Sequence, residues 1–217
     1  MNEPLVRTMS GQLAGRIREK ILTGVYAPGS ALLQDSIAAE FGVSKIPVRE
    51  ALVSLRAEGL VDIYAHRGFQ VRALSVTEVE EVFRLRLRLE PDAVAQGARQ
   101  AQAEDHSAAA SALRTLSSAL LERRLADAGD LNCAFHMALI VPHAQPVTFE
   151  ILNRLHTLSQ RYVRIHLLPA GRIKRATREH NALYAAWAAG NARSAARLTQ
   201  MHIEETRDEV AELLAHT

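Results

Sequence analysis

The sequence predicts a mainly α-helical protein in two parts: a turn-rich head with a short hairpin over residues 1–74, and an all-α six-helix bundle over 75–217. Three observations predict it. Gly and Pro punctuate the first seventy residues and become sparse after Ser75, where Ala, Leu, Arg and Glu dominate. Apolar residues recur at helical spacing through most of the chain. Aromatic residues are 5% of the total, so the core must be built from Leu, Val, Ile and Ala, which suits packed helices.

In the head, Leu13, Ile17 and Ile21 at i, i+4 and i+8 place a first helix over 10–24. Tyr26-Ala27-Pro28-Gly29 carries the Pro-Gly pair of a type II turn, and a short extended piece follows at 30–33. A second helix is expected over 35–41, with Ile37, Ala38 and Phe41 inward and Gly42 as its left-handed stop. Ser44 suits the N-cap of a third helix over 45–58, where Pro47 falls in the tolerant first turn. Val48, Leu52 and Leu55 form its buried stripe. Val61–Ile63 and Phe69–Val71 read as strands joined by the cationic tip Tyr64-Ala65-His66-Arg67-Gly68.

Two short helices joined by a tight turn, followed by a hairpin, make a winged helix-turn-helix. Its chemistry lies at the start of the third helix. There Ser44 and Lys45 meet unpaired backbone N–H groups and the positive end of the helix dipole, a combination that can enter a major groove or grip a phosphate. Arg49 lies one turn along, and Arg67 at the hairpin tip can reach a neighbouring phosphate or the minor groove. Arg56, far from the leading end, reads as solvated surface. Residues 1–73 hold nine Lys/Arg and seven Asp/Glu, too small an excess to announce a polyanion partner, so placement of the cations carries the argument.

The stretch GVYAPGSALLQDSIAAEFGVSKIPVREALVSLRAEGLV, followed by AHRGFQV, resembles the DNA-binding domain of the GntR family of bacterial transcriptional regulators over about residues 10–73. The resemblance implies DNA contacts at Ser44, Lys45, Arg49, Arg67 and Gly68. The chain departs from the family at three places. Asp35 stands where an arginine is frequent, and would repel a phosphate. Lys45 stands where Arg is usual, and cannot make the bidentate guanine contact open to Arg. Ile46 replaces a small polar residue; it can touch a thymine methyl or simply pack.

After the boundary, Ser75-x-x-Glu78 and Thr77-x-x-Glu80 both read as capping boxes. Six helices are expected at 77–102, 105–124, 127–142, 146–168, 172–189 and 192–214, with Pro91 kinking or splitting the first. His136, His180 and His202 each lie on the apolar stripe of a different helix. An inward histidine is commonly a hydrogen-bonded core residue; three on separate helices can also converge, and imidazole nitrogens then suit zinc or a similar divalent ion. Asn132, one turn before His136, can add an oxygen ligand. The basic run Arg154, Arg161, Arg164, Arg172, Lys174, Arg175 and Arg178, free of acids in sequence, reads mostly as solvated surface. His66, His106, His143, His156, His166 and His216 receive no role, although His143 is an alternative ligand.

NCAFHMAL and REHNALYAAWAAGNARSAARLTQMH resemble the FCD ligand-binding domain of the FadR subfamily, and the chain length and six helices resemble its VanR-like group. That resemblance implies a divalent metal, zinc foremost with nickel or another ion as alternatives, held by Asn132, His136, His180 and His202. Asn132 stands where Asp is commoner. Three neutral imidazoles and an amide leave the ionic charge uncompensated, which favours an anionic effector, a small organic acid. Arg86 occupies a position that resembles an arginine the family points at its pocket; its other reading is an i, i+4 ion pair with Glu90.

The implied function is a ligand-responsive regulator, expected to be a repressor and a homodimer on a palindromic operator in double-stranded DNA. The other class weighed is a metal-dependent enzyme fused to a DNA-binding domain. No HExxH, GxSxG, P-loop or Rossmann pattern is present, Glu179 points off the histidine stripe of its own helix, and the expectation is no enzyme. With one cysteine, Cys133, neither an intrachain disulfide nor a thiolate zinc cluster can form. No secretory or membrane-spanning pattern is seen, so a cytoplasmic location is expected.

Overall fold

The computed structural model describes residues 8–64, 67–125, 127–143, 145–167, 169 and 171–215, without the side chains of His143, Arg164 and Ile165. The wing residues Ala65 and His66, together with His216, lie outside the described residues. The chain forms two compact units, Met1–Leu74 and Ser75–Thr217, which is the boundary the composition change predicts.

In the first unit, α1 (Met9–Leu22), α2 (Gln34–Phe41) and α3 (Lys45–Ala57) accompany strands β1 (Ala31–Leu32), β2 (Val61–Tyr64) and β3 (Gly68–Val71). The sheet order is β1-β3-β2, antiparallel throughout, with Leu32 opposite Phe69 and Tyr64 opposite Gly68. Ile17, Val48, Leu52, Leu55 and Leu60 are completely buried. The type II turn is present: Gly29 has φ +76° and the Ser30 N–H donates to the Ala27 carbonyl at 3.0 Å. Gly42 ends α2 in the left-handed region at φ +64°.

Helices α4 (Val76–Gln100), α5 (Ala103–Leu121), α6 (Ala128–Ile140), α7 (Pro146–Leu167), α8 (Arg172–Ala188) and α9 (Ala192–Ala215) make the second unit, with a 3₁₀ turn at Val141–His143. The α4 helix packs against α9, α7 and α6. Pro91 does not split it. The ring takes one N–H from the ladder and packing on several sides holds the helix continuous. Of the two capping boxes, only Ser75 caps, its hydroxyl accepting from the Glu78 N–H at 3.3 Å, while Thr77 lies inside α4. The Ser75 N–H donates to the Tyr162 hydroxyl at 3.3 Å, and the Glu78 carboxylate accepts from Arg161 Nη2 (2.6 Å) and from that hydroxyl (2.5 Å). Among the described residues no helix is long and apolar enough to cross a membrane.

A histidine cluster in the bundle and a recognition helix in the head

The α3 helix presents its leading end as the sequence predicts, with one correction. Ser44 holds the N-cap position in extended backbone, yet its hydroxyl makes no cap hydrogen bond. Lys45 and Arg49 are exposed, as are Arg67 and Gly68 at the wing, where Gly68 takes φ +73° and the Arg67 N–H donates to the Tyr64 carbonyl at 3.1 Å. Asp35 does more than discourage a phosphate: its Oδ1 lies 2.5 Å from Lys45 Nζ, in an ion pair exposed on both sides. Arg49→Ala is expected to flatten the log–log salt dependence of DNA affinity by about one, since one phosphate contact contributes about 0.9 to the slope. Filter binding at several salt concentrations measures it; an unchanged slope removes Arg49 from the contact set.

In the bundle, the three predicted histidines converge. His136 on α6, His180 on α8 and His202 on α9 each offer a ring nitrogen within 4.8 Å of the others. Ring centroids stand 5.5 Å apart for His136–His180, 5.3 Å for His136–His202 and 4.7 Å for His180–His202. All three are buried. A small cavity of about 20 Å³, bordered by Arg86, Asn132, His166, His180, His202 and Thr206, lies beside His180 and His202. Asn132 therefore borders the same cavity as His180 and His202.

Orientation comes from partners that the periodicity does not reveal. His202 Nδ1 is 2.7 Å from Glu179 Oε2, and His136 Nδ1 is 2.9 Å from Glu90 Oε1. Glu90 is completely buried. Burial alone would raise its pKa, but Arg86, His156 and His136 outweigh it and hold the carboxyl well below the usual range. Arg86 Nε and Nη2 donate to the two Glu90 oxygens at 2.8 and 3.2 Å. Both readings of Arg86 thus meet: it pairs with Glu90 and it borders the cavity. Glu179, set aside on its own helix, reaches across to α9, a contact that only helix packing creates.

Two expectations need correction. His156, given no role, is buried on α7 with Nε2 3.2 Å from Glu90 Oε2. Glu90, His136 and His156 thereby form a second close group, but Arg86 already engages both Glu90 oxygens and would repel a second cation, so this group supports His136. The basic run is solvated only in part, with Arg154, Lys174 and Arg178 exposed. Arg161 is buried against Glu78, and Arg172 and Arg175 both pair with Glu209, which also lies 3.0 Å from His166 Nδ1. Their acids come from α4 and α9, outside the run. His106 packs edge-on against Trp187 at 5.1 Å.

The cluster fits a metal ion by its donor chemistry. Neither ring nitrogen of His180 has a hydrogen-bond partner, nor has Nε2 of His136, among the described residues. An unsatisfied buried polar atom costs about 1–3 kcal/mol. Burial, and then the neighbouring histidines, push the pKa of His180 and His202 well below the ordinary value, so both imidazoles are neutral and their lone pairs available. Glu90 and Glu179 behind two of the rings repeat the carboxylate–histidine arrangement that fixes ligand orientation.

Comparison with known proteins agrees with this two-part reading. Residues 9–71 match the family model for "Bacterial regulatory proteins, gntR family", and residues 81–205 match that for the FCD domain. The chain is 31% identical over 208 residues, 93% of its length and 84% of the relative's, to "Uncharacterized HTH-type transcriptional regulator BphR" of Paraburkholderia xenovorans. It is 26% identical over 196 residues, 86% of its length and 89% of the relative's, to "HTH-type transcriptional repressor GlaR" of Escherichia coli. The solved structure of E. coli McbR/YncC shares the fold, with TM-score 0.80 and 19% identity over 96% of this chain and 98% of that one. These relatives are transcriptional regulators rather than enzymes. A winged head matched by one model and a helical bundle matched by the other place this chain in the GntR family, as an FCD-domain, DNA-binding transcriptional regulator.

Proposed function

We propose that the protein is a homodimeric repressor whose bundle holds a divalent metal, zinc foremost, and senses a small carboxylate through it. His136, His180 and His202 would hold the ion, with the Asn132 amide oxygen as a fourth ligand. Bound there, the ion supplies concentrated positive charge and a coordination position that a carboxylate can take. The observation that carries the reading is the convergence of three buried histidines, two of which, His136 and His180, have ring nitrogens without a hydrogen-bond partner among the described residues.

The charge balance favours an anion. Arg86 offsets Glu90, and Arg175, with Nε 3.1 Å from Glu179 Oε1, offsets Glu179. Neutral imidazoles and an amide then leave the charge of the ion itself uncancelled in a site of low dielectric. Binding of the acid is coupled reciprocally to DNA affinity, typically by about 1–3 kcal/mol. The repressor assignment is supported by GlaR and by "Gluconate operon transcriptional repressor" of Bacillus subtilis, 37% identical over 79 residues.

Titration calorimetry with metal-loaded and metal-stripped protein tests the reading. Zinc should bind the wild type, and His180→Ala should weaken it by more than the roughly 10–100-fold that loss of an outer-shell partner costs. A panel of small organic acids should bind the loaded form only. Equal affinity for acids in both forms would sink the coordination step, and unchanged zinc affinity in His180→Ala would sink the site.

A further inference from the structure

The α3 helix offers bases an apolar side chain where its charged neighbour is drawn away. Val48, Ala51, Leu52 and Leu55 are completely buried and fix the helix's inward face. At 3.6 residues per turn, Ile46, Glu50 and Val53 lie about half a turn from the centre of that face. Ile46 is 72% exposed, so the packing alternative for it is gone; Val53, two turns along on the same side, is 47% exposed. Of the first-turn side chains, Lys45 and Ile46 alone are exposed, since Val48 is buried and Pro47 half-buried. The Lys45 ammonium is held 2.5 Å from Asp35 on α2. Ile46 therefore leads the helix, with Arg49 one turn behind.

Scattered exposed hydrophobics are ordinary on a protein surface. This one stands at the end of a recognition helix, where first-turn residues meet base edges. Among the groups that base pairs display in the major groove, the one apolar feature is the thymine C5-methyl. We propose that Ile46 is a specificity-determining residue that selects thymine in each half-site through this methyl. Asp35 assists by holding Lys45 against α2, which leaves the isoleucine in front. The inference rests on the DNA-binding head and not on the metal or the effector.

Removing only the methyl provides the test. Duplexes are enriched from a random library with the full-length chain, and each thymine of the winning duplex is then replaced in turn by deoxyuridine, which keeps its pairing and its O4. At one position per half-site the wild type should bind about fourfold more weakly, the effect of withdrawing one methyl from an apolar contact. Ile46→Ala should bind the thymine duplex as the wild type binds the uracil one and no longer distinguish the two, while Ile46→Val keeps the preference. Because Ile46 is exposed, the melting temperature of Ile46→Ala should stay at the wild-type value. The proposal is overturned if the wild type binds thymine and uracil duplexes equally at every position, or if Ile46→Ala discriminates as well as the wild type. Failure to enrich any duplex would overturn the DNA-binding reading itself, and this inference with it.

Discussion

Lowering the pH of the metal-free protein from about 7.5 to about 5 is expected to unfold the bundle or bring it close to unfolding. Burial, followed by the Arg86 charge, lowers the pKa of His156 from 6.5 to about 4. Burial, followed by Arg172 and Arg175, lowers His166 likewise to about 4. Each folded-state pKa lies below the unfolded one, so above pH 6.5 neither group favours either state. As the pH falls, the unfolded chain takes up protons that the folded chain refuses. Stability drains from about pH 6.5 downward and continues to drain until the folded pKa near 4. At about 1.4 kcal/mol per unit and per group, these two histidines remove on the order of 4 kcal/mol by pH 5. His180 and His202, also lowered, act in the same direction. Against a typical total of about 5–15 kcal/mol, the loss is severe. Urea melts followed by circular dichroism in chelator at the two pH values measure it, and equal midpoints would contradict the burial of these rings as neutral species. Zinc should protect at neutral pH and lose that protection on acidification, because proton and metal compete for the same nitrogens.

Gly97→Ala is expected to be the most damaging single-methyl change in the bundle. Alanine is the better helix former by about 1 kcal/mol, so the isolated helix would gain. In the fold, however, a Cβ at Gly97 would overlap the Leu139 carbonyl oxygen and stand 3.2 Å from Trp187 Nε1. That indole N–H donates to the same carbonyl at 3.0 Å. The added methyl must push α4 away from α6 and break a buried hydrogen bond. Overpacking costs about 1–3 kcal/mol and the orphaned N–H a similar amount, which together exceed the helix gain. A net loss near 3 kcal/mol lowers the melting temperature by roughly 6–12 °C in a domain of this size. A melting temperature equal to or above that of the wild type would show that α4 and α6 do not approach as closely as described.

These two expectations differ in how far the sequence anticipates them. Helix positions were legible because burial imposes a period: Leu13, Ile17 and Ile21, or Val48, Leu52 and Leu55, mark their faces in the bare sequence, and the observed helices begin and end within a few residues of their predicted bounds. Turn chemistry was legible for the same local reason, since only glycine adopts φ +76° at Gly29 or +64° at Gly42 without strain. Spacing on an apolar stripe also picked out His136, His180 and His202. Gly97 carried no such signal. In the sequence it is a weak helix residue, and its function as the point where two backbones touch exists only once α6 lies across it.

The sequence alone therefore determined what local geometry and apolar periodicity control: the two-part division, the helices and turns, the leading end of α3, and the three histidines that face inward. Tertiary structure decided the pairings between distant elements. It joined Glu90 to His136 and His156, sent Glu179 to His202 and Glu209 to the arginines of α8, and tied Lys45 back to Asp35. The reason is physical. A helix's own period fixes which side of it is buried, but the partner of a buried charge is whatever the packed neighbour presents at that height, and that depends on the crossing and register of whole helices rather than on any spacing within one.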